Sequence, residues 1–164
     1  MRNCVHDAQP LGGKLKMNKK LYGFAVLCAC FYASPSFAAD DVKMHPLSDA
    51  LNTPAAREKL DKSVKLFFGN QAYPKAQKEL GEWKTNKKTN GFNKSAKEAC
   101  EWTFLSAVLE LQERAVKEGG DAVVGIKSNW KNQETVSDTE YVCADGSLMS
   151  GVALKGTVVK LGGK

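Results

Sequence analysis

The sequence predicts an α+β fold: two layers, with one long helix packed on a small, mainly antiparallel sheet. Three observations predict it. Ser95-Ala96-Lys97-Glu98 is a capping box, and apolar residues then recur at helical spacing as far as Ala115. Gly119-Gly120 ends that helix and passes at once into Ala122-Val123-Val124-Gly125-Ile126. Asp145-Gly146 is a hairpin signal between two apolar runs near the end of the chain, which makes those strands antiparallel.

The elements follow in order. Residues 39–54 are polar, carry Pro46 and Pro54, and read as a flexible leading segment. Thr53-Pro54-Ala55-Ala56 reads as an N-cap, a proline in the first turn and good helix formers, so a short helix runs to about Leu60. Residues 39–62 thus precede the domain proper, which spans 63–164. Ser63 to Phe68 is the first strand, β-branched and aromatic, stopped by Gly69-Asn70. Residues 70–94 contain Pro74, Gly81, Gly91 and four asparagines, and read mainly as loop, with Leu80 to Thr85 as a short strand at most. The long helix covers 95–118, with Ala96, Cys100, Phe104, Ala107, Val108, Leu111 and Ala115 on its apolar stripe. In the next strand, period two places Ala122, Val124, Ile126, Ser128 and Trp130 on one face. Glu140 to Ala144 and Ser150 to Leu161 supply the last two strands, and Gly151 or Gly156 is the expected bulge. Trp102, Phe104 and Trp130 read as core residues.

The first 38 residues read as a signal segment. Lys19 and Lys20 form a positive region, Leu21 to Tyr32 an apolar one, and Ser36-Phe37-Ala38 a small-x-small cleavage site. Met17 is the more usual start, which makes 1–16 an upstream mis-start or a long positive region. Cleavage after Ala38 places the mature chain in the periplasm. The alternative takes Leu27-Cys28-Ala29-Cys30 as a lipobox, lipidates Cys30 and gives an outer-membrane lipoprotein; only then does the chain touch a membrane.

The leader carries most of the charge. The chain is +6 overall, but Arg2, Lys14, Lys16, Lys19 and Lys20 against Asp7 leave only +2 after residue 38. Nucleic acid is therefore not an expected partner. Cys4, Cys28 and Cys30 depart with the leader. Cys100 and Cys143 remain, and two cysteines in an oxidising compartment pair. Cys100 lies early on the helix stripe and Cys143 shares a strand face with Tyr141, so both point into the helix–sheet interface.

Catalytic motifs are missing. The sequence holds no G-x-x-x-x-G-K-[ST], G-x-S-x-G, H-E-x-x-H or C-x-x-C. His45 is the one histidine after the leader, in the leading segment, and is read as solvated rather than as a partner of either cysteine. Glu110 and Glu113 read as a solvated helix face beside Arg114 and Lys117. No enzyme, cofactor or metal site is expected. Lys84, Lys87, Lys88, Lys94 and Lys97, with Trp83 and Phe92 interleaved, read first as a loop charged for solvation and, as the alternative, as a patch that fits an anionic surface.

The join from Leu111-Gln112-Glu113-Arg114-Ala115 through Gly119-Gly120-Asp121-Ala122-Val123-Val124-Gly125-Ile126, with Gly151 to Val159 as the closing strand, resembles two families. One is RcsF, the envelope-stress sensor lipoproteins of enteric bacteria; the other is the YbjQ-like small oligomeric proteins. The resemblance covers roughly residues 79–161, and Gly81-Glu82 and Tyr141-Val142-Cys143 also look RcsF-like. It implies an envelope interaction module whose partner is an envelope protein or an anionic glycolipid; the YbjQ-like alternative implies a small-ligand or metal-binding oligomer. RcsF domains carry two disulfides, whereas one cysteine pair follows the leader here. The mature chain as a whole is similar to proteobacterial proteins of unassigned role, some labelled excinuclease subunits. That label implies ATP-driven DNA repair, which a chain without a P-loop or zinc-module spacing does not support.

Overall fold

The helix marked by Ser95 organises the domain. In the computed structural model, which describes residues 41–146 and 148–162, it runs Ala96–Lys117 and is the third helix, α3. The Ser95 hydroxyl accepts the Glu98 backbone N–H at 3.2 Å, the first half of the expected capping box. At the other end Gly119 turns left-handed at φ +76°, and the amides of Gly119 and Gly120 donate to the Val116 and Ala115 carbonyls. That is a Schellman motif, and it returns the chain directly to the sheet. Gly120 also permits close packing: a Cβ there would stand 2.5 Å from Val158.

Seven strands form one mixed sheet. They are β1 (Asp41–Pro46), β2 (Lys65–Phe68), β3 (Ala76–Asn90), β4 (Ala122–Trp130), β5 (Gln133–Thr135), β6 (Glu140–Asp145) and β7 (Met149–Leu161). Two short helices, α1 (Leu47–Leu51) and α2 (Pro54–Lys59), lie between β1 and β2. Thr53 caps α2 as the sequence implies, accepting the Ala56 amide at 3.2 Å. The central strand β7 pairs along one side with β3 and along the other with β6 and then β4; β1 joins β6, and β5 and β2 join β4. Among the described strands, only β2–β4 is parallel. Along its outer side β3 has no strand partner among the described residues.

Three expectations need correcting. Residues 41–46 are not a flexible lead-in; they pair with β6 in continuous register from Asp41↔Asp145 to Pro46↔Glu140. Residues 76–90 are not mainly loop but a strand of 15 residues, matched to β7 from Ala76↔Leu161 to Asn90↔Met149. The bulges fall in β3, where Gly81 has φ +132°, and in β4, where Gly125 has φ +60°, rather than at Gly151 or Gly156. The β4 bulge breaks period two. Val123 and Ile126 enter the main core with α3, while Ala122 and Val124 join Val159 and Leu161 in a smaller cluster.

The main core lies between α3 and the sheet. Cys100, Phe104, Ala107, Val108, Leu111 and Ala115 are fully buried against Val152, Leu154 and Val158. Trp102 departs from expectation at 44% exposed, and Trp130 instead covers Gly151, where a Cβ would stand 2.7 Å from its ring. Buried Gln112 reaches back from α3, accepting the Asp61 amide and donating to the Asp61 and Val64 carbonyls, so the approach to β2 is fixed to the helix.

Glu134 on β5 joins three strands through charge: its carboxylate meets Lys127 at 2.7 Å and Lys155 at 2.6 Å, and Lys155 also meets Glu82 at 2.8 Å. The two lysines hold the Glu134 carboxyl down from its ordinary 4.5 to about 2. A depressed folded-state value means its stabilisation is complete above about pH 4.5 and is lost as pH falls toward about 2. Urea midpoints measured across that window should fall with acidity, and Glu134→Gln should flatten the dependence. The carboxylate is exposed, so the effect is salt-sensitive.

Candidate functional site

The chemically richest corner lies where β1 meets the start of α3. Pairing β1 with β6 sets His45 opposite Tyr141 and Lys43 opposite Cys143, so His45, Tyr141 and Cys143 share one face. The capping box fixes the first turns of α3, which bring Cys100 onto the same spot. Cys100 and Cys143 form a disulfide with their Cα atoms 5.9 Å apart, and both are fully buried. The expected staple is present, and it ties the helix to β6.

His45 is not a solvated side chain in a loose segment. Its imidazole stacks on Tyr141 with ring centroids 5.7 Å apart; Tyr141 stacks on Phe104 at 4.2 Å, and Phe104 meets Phe68 at 6.0 Å. One ligand atom from His45 and the Sγ atoms of Cys100 and Cys143 all lie within 4.8 Å of one another. The reading that kept His45 away from the cysteines fails because it treated β1 as loop, and a 55-residue gap in sequence conceals adjacency across a sheet.

A cavity of about 230 Å³ opens beside His45, lined also by Pro46, Asp49, Lys97, Glu101 and Tyr141. Lys97 pairs with Asp49 at 2.6 Å and with Glu101 at 3.7 Å. That contact holds the Asp49 carboxyl below, and the Lys97 ammonium above, their ordinary ranges. Tyr141 is 1% exposed, and its hydroxyl has no hydrogen-bond partner among the described residues. Burial pushes its phenol well above the usual range, and the negative charges of Glu101 and Asp49 add to the rise. A neutral, buried, unused donor beside two carboxylates is costly to keep.

Glu101 also borders a larger groove of about 480 Å³ between α2 and α3, with Pro54, Trp102 and Leu105 as its apolar lining and Lys94 and Glu98 at its edge. The exposed indole of Trp102 is the largest aromatic surface in it.

The lysine patch does not assemble. Lys84 and Lys88 point outward from β3, whereas half-buried Lys87 faces α3 and pairs with Glu110 at 3.1 Å. Lys97 is engaged by Asp49, and the Lys94 ammonium lies 3.4 Å from the Asn90 carbonyl. Trp83 is half-buried against the helix, with the Arg114 guanidinium 4.1 Å over its ring. Cys30, the signal segment 1–38 and Met17 lie outside the described residues. Among those described, no helix is long and apolar enough to cross a membrane. Comparison with protein-family models, curated proteins and solved structures finds no match for this chain.

Proposed function

We propose that the chain is exported, is cleaved after Ala38 and matures in the periplasm as a non-enzymatic binding module of the cell envelope, two-layered and RcsF-like in plan. The fully buried Cys100–Cys143 disulfide carries this reading, because such bonds form and persist in oxidising compartments. The leader-like first 38 residues support it independently. The partner is an envelope protein rather than an anionic glycolipid. The groove around Trp102 offers an exposed aromatic anchor with a mixed-charge rim, which suits a protein partner. The lysines that would hold a glycolipid are divided between two faces of β3 or already paired.

Expression of the full chain in a Gram-negative host tests this. The expected product is periplasmic, begins at Ala39 and weighs two hydrogens less than its reduced form. A lipid-sized mass on Cys30 would instead establish the lipoprotein alternative. Uncut chain retained in the cytosol with free Cys100 and Cys143 would overturn the reading. Site-specific crosslinking within envelopes tests the surface: Trp102→Glu should abolish adduct formation, and Lys84→Glu with Lys88→Glu should not.

A further inference from the structure

We propose that Cys100, Cys143 and His45 form a redox-gated zinc site: closed while the disulfide stands, and a three-ligand site once it is reduced. Three observations converge on it. The donor set is one imidazole and two sulfurs from three separate elements, β1, α3 and β6, already within 4.8 Å of one another. Tetrahedral zinc, with bonds of roughly 2.0–2.3 Å, sets its ligand atoms about 3.5–3.8 Å apart. Unbonded sulfurs reach that spacing by side-chain rotation, and His45 needs a shift of about an ångström. The set leaves a fourth position, and the 230 Å³ cavity beside His45 gives an ion and a water somewhere to enter. Tyr141 lines that same cavity, and its buried hydroxyl, with no hydrogen-bond partner among the described residues, is a spare donor in the same corner.

The chemistry balances with a dithiol as reductant. It gives two electrons and two protons to the S–S bond, leaving Cys100 and Cys143 as thiols and becoming a disulfide itself. Zinc(II) then takes both sulfurs as thiolates and neutral His45 through a ring nitrogen, releasing two protons. A small disulfide reverses this by thiol–disulfide exchange: it takes two electrons and two protons and leaves as two thiols, while the Cys100–Cys143 bond re-forms and the ion departs. The same corner thus holds either a covalent staple or a metal, and each fastens α3 to β6.

The test uses the full chain with Cys4, Cys28 and Cys30 replaced by serine, so that Cys100 and Cys143 are its sole thiols. Cobalt(II) serves as the spectroscopic probe and zinc(II) as its competitor. The reduced chain should bind one cobalt per molecule, with sulfur-to-cobalt charge transfer and the strong visible bands of a tetrahedral site, displaced by zinc; the oxidised chain should show neither. His45→Phe keeps a ring on Tyr141 but removes the ligand, and should weaken binding more than tenfold. Equal binding by oxidised chain, or unchanged affinity in His45→Phe, overturns the proposal. If reduction unfolds the chain, cobalt must restore the folded circular-dichroism spectrum in the parent and fail to do so in His45→Phe; no recovery in the parent overturns it as well. None of these readouts depends on export or on an envelope partner, so this inference and the proposed function can fail separately.

Discussion

Replacing Cys100 and Cys143 together by alanine lowers the unfolding free energy by about 4 kcal/mol, the denatured-state entropy that a bridge across 43 residues removes. Domains of this size are stable by only about 5–15 kcal/mol, so the loss is a large share of the total. Alanine is the better substitute because both sulfurs are fully buried and serine would add unpaired hydroxyls there. Urea titration is the measurement. The parent in excess reductant, without added metal, should lose a similar amount, and the double variant should not respond to reductant at all. A variant as stable as the parent would mean that the bridge constrains little in the unfolded chain.

Phe104→Ala is expected to cost about 3–5 kcal/mol. Phe104 is fully buried and sits between Tyr141 and Phe68, so truncation opens a void at the centre of the stack that ends at His45. Phe104→Leu keeps most of the volume and should lose much less. Near-ultraviolet circular dichroism should report the released Tyr141 ring in the alanine variant. Phe104 lies one helical turn from Cys100, so the two losses should not add when combined. Equal stability of the alanine and leucine variants would show that the void closes by collapse.

The helix was readable because its signals are local. Ser95, Glu98 and the glycine pair each act within a few residues, and six of the seven stripe positions are buried, Ala96 being exposed. The disulfide was readable because two cysteines follow the leader-like segment, Cys100 on the helix stripe and Cys143 on an inward strand face. The polar strand β3 was not readable. Eleven of its 15 residues are lysine, threonine, asparagine, glutamate or glutamine, and its conformation comes from pairing with β7 along its length, which no local signal announces. Gly125 inverted the face of β4 because one inserted residue exchanges inside for outside. His45 was lost for the same reason as β1: a strand with mostly exposed residues looks like a loop until its partner is known.

A ribbon as long as β3, without a strand partner along one margin among the described residues, is an invitation to stack copy upon copy into a fibre. The exposed ammonium groups of Lys78, Lys84 and Lys88 and the twist added by the two register breaks turn that invitation away. The lysine-rich stretch that looks like a docking patch in sequence thus acts, on this edge, against the protein polymerising with itself.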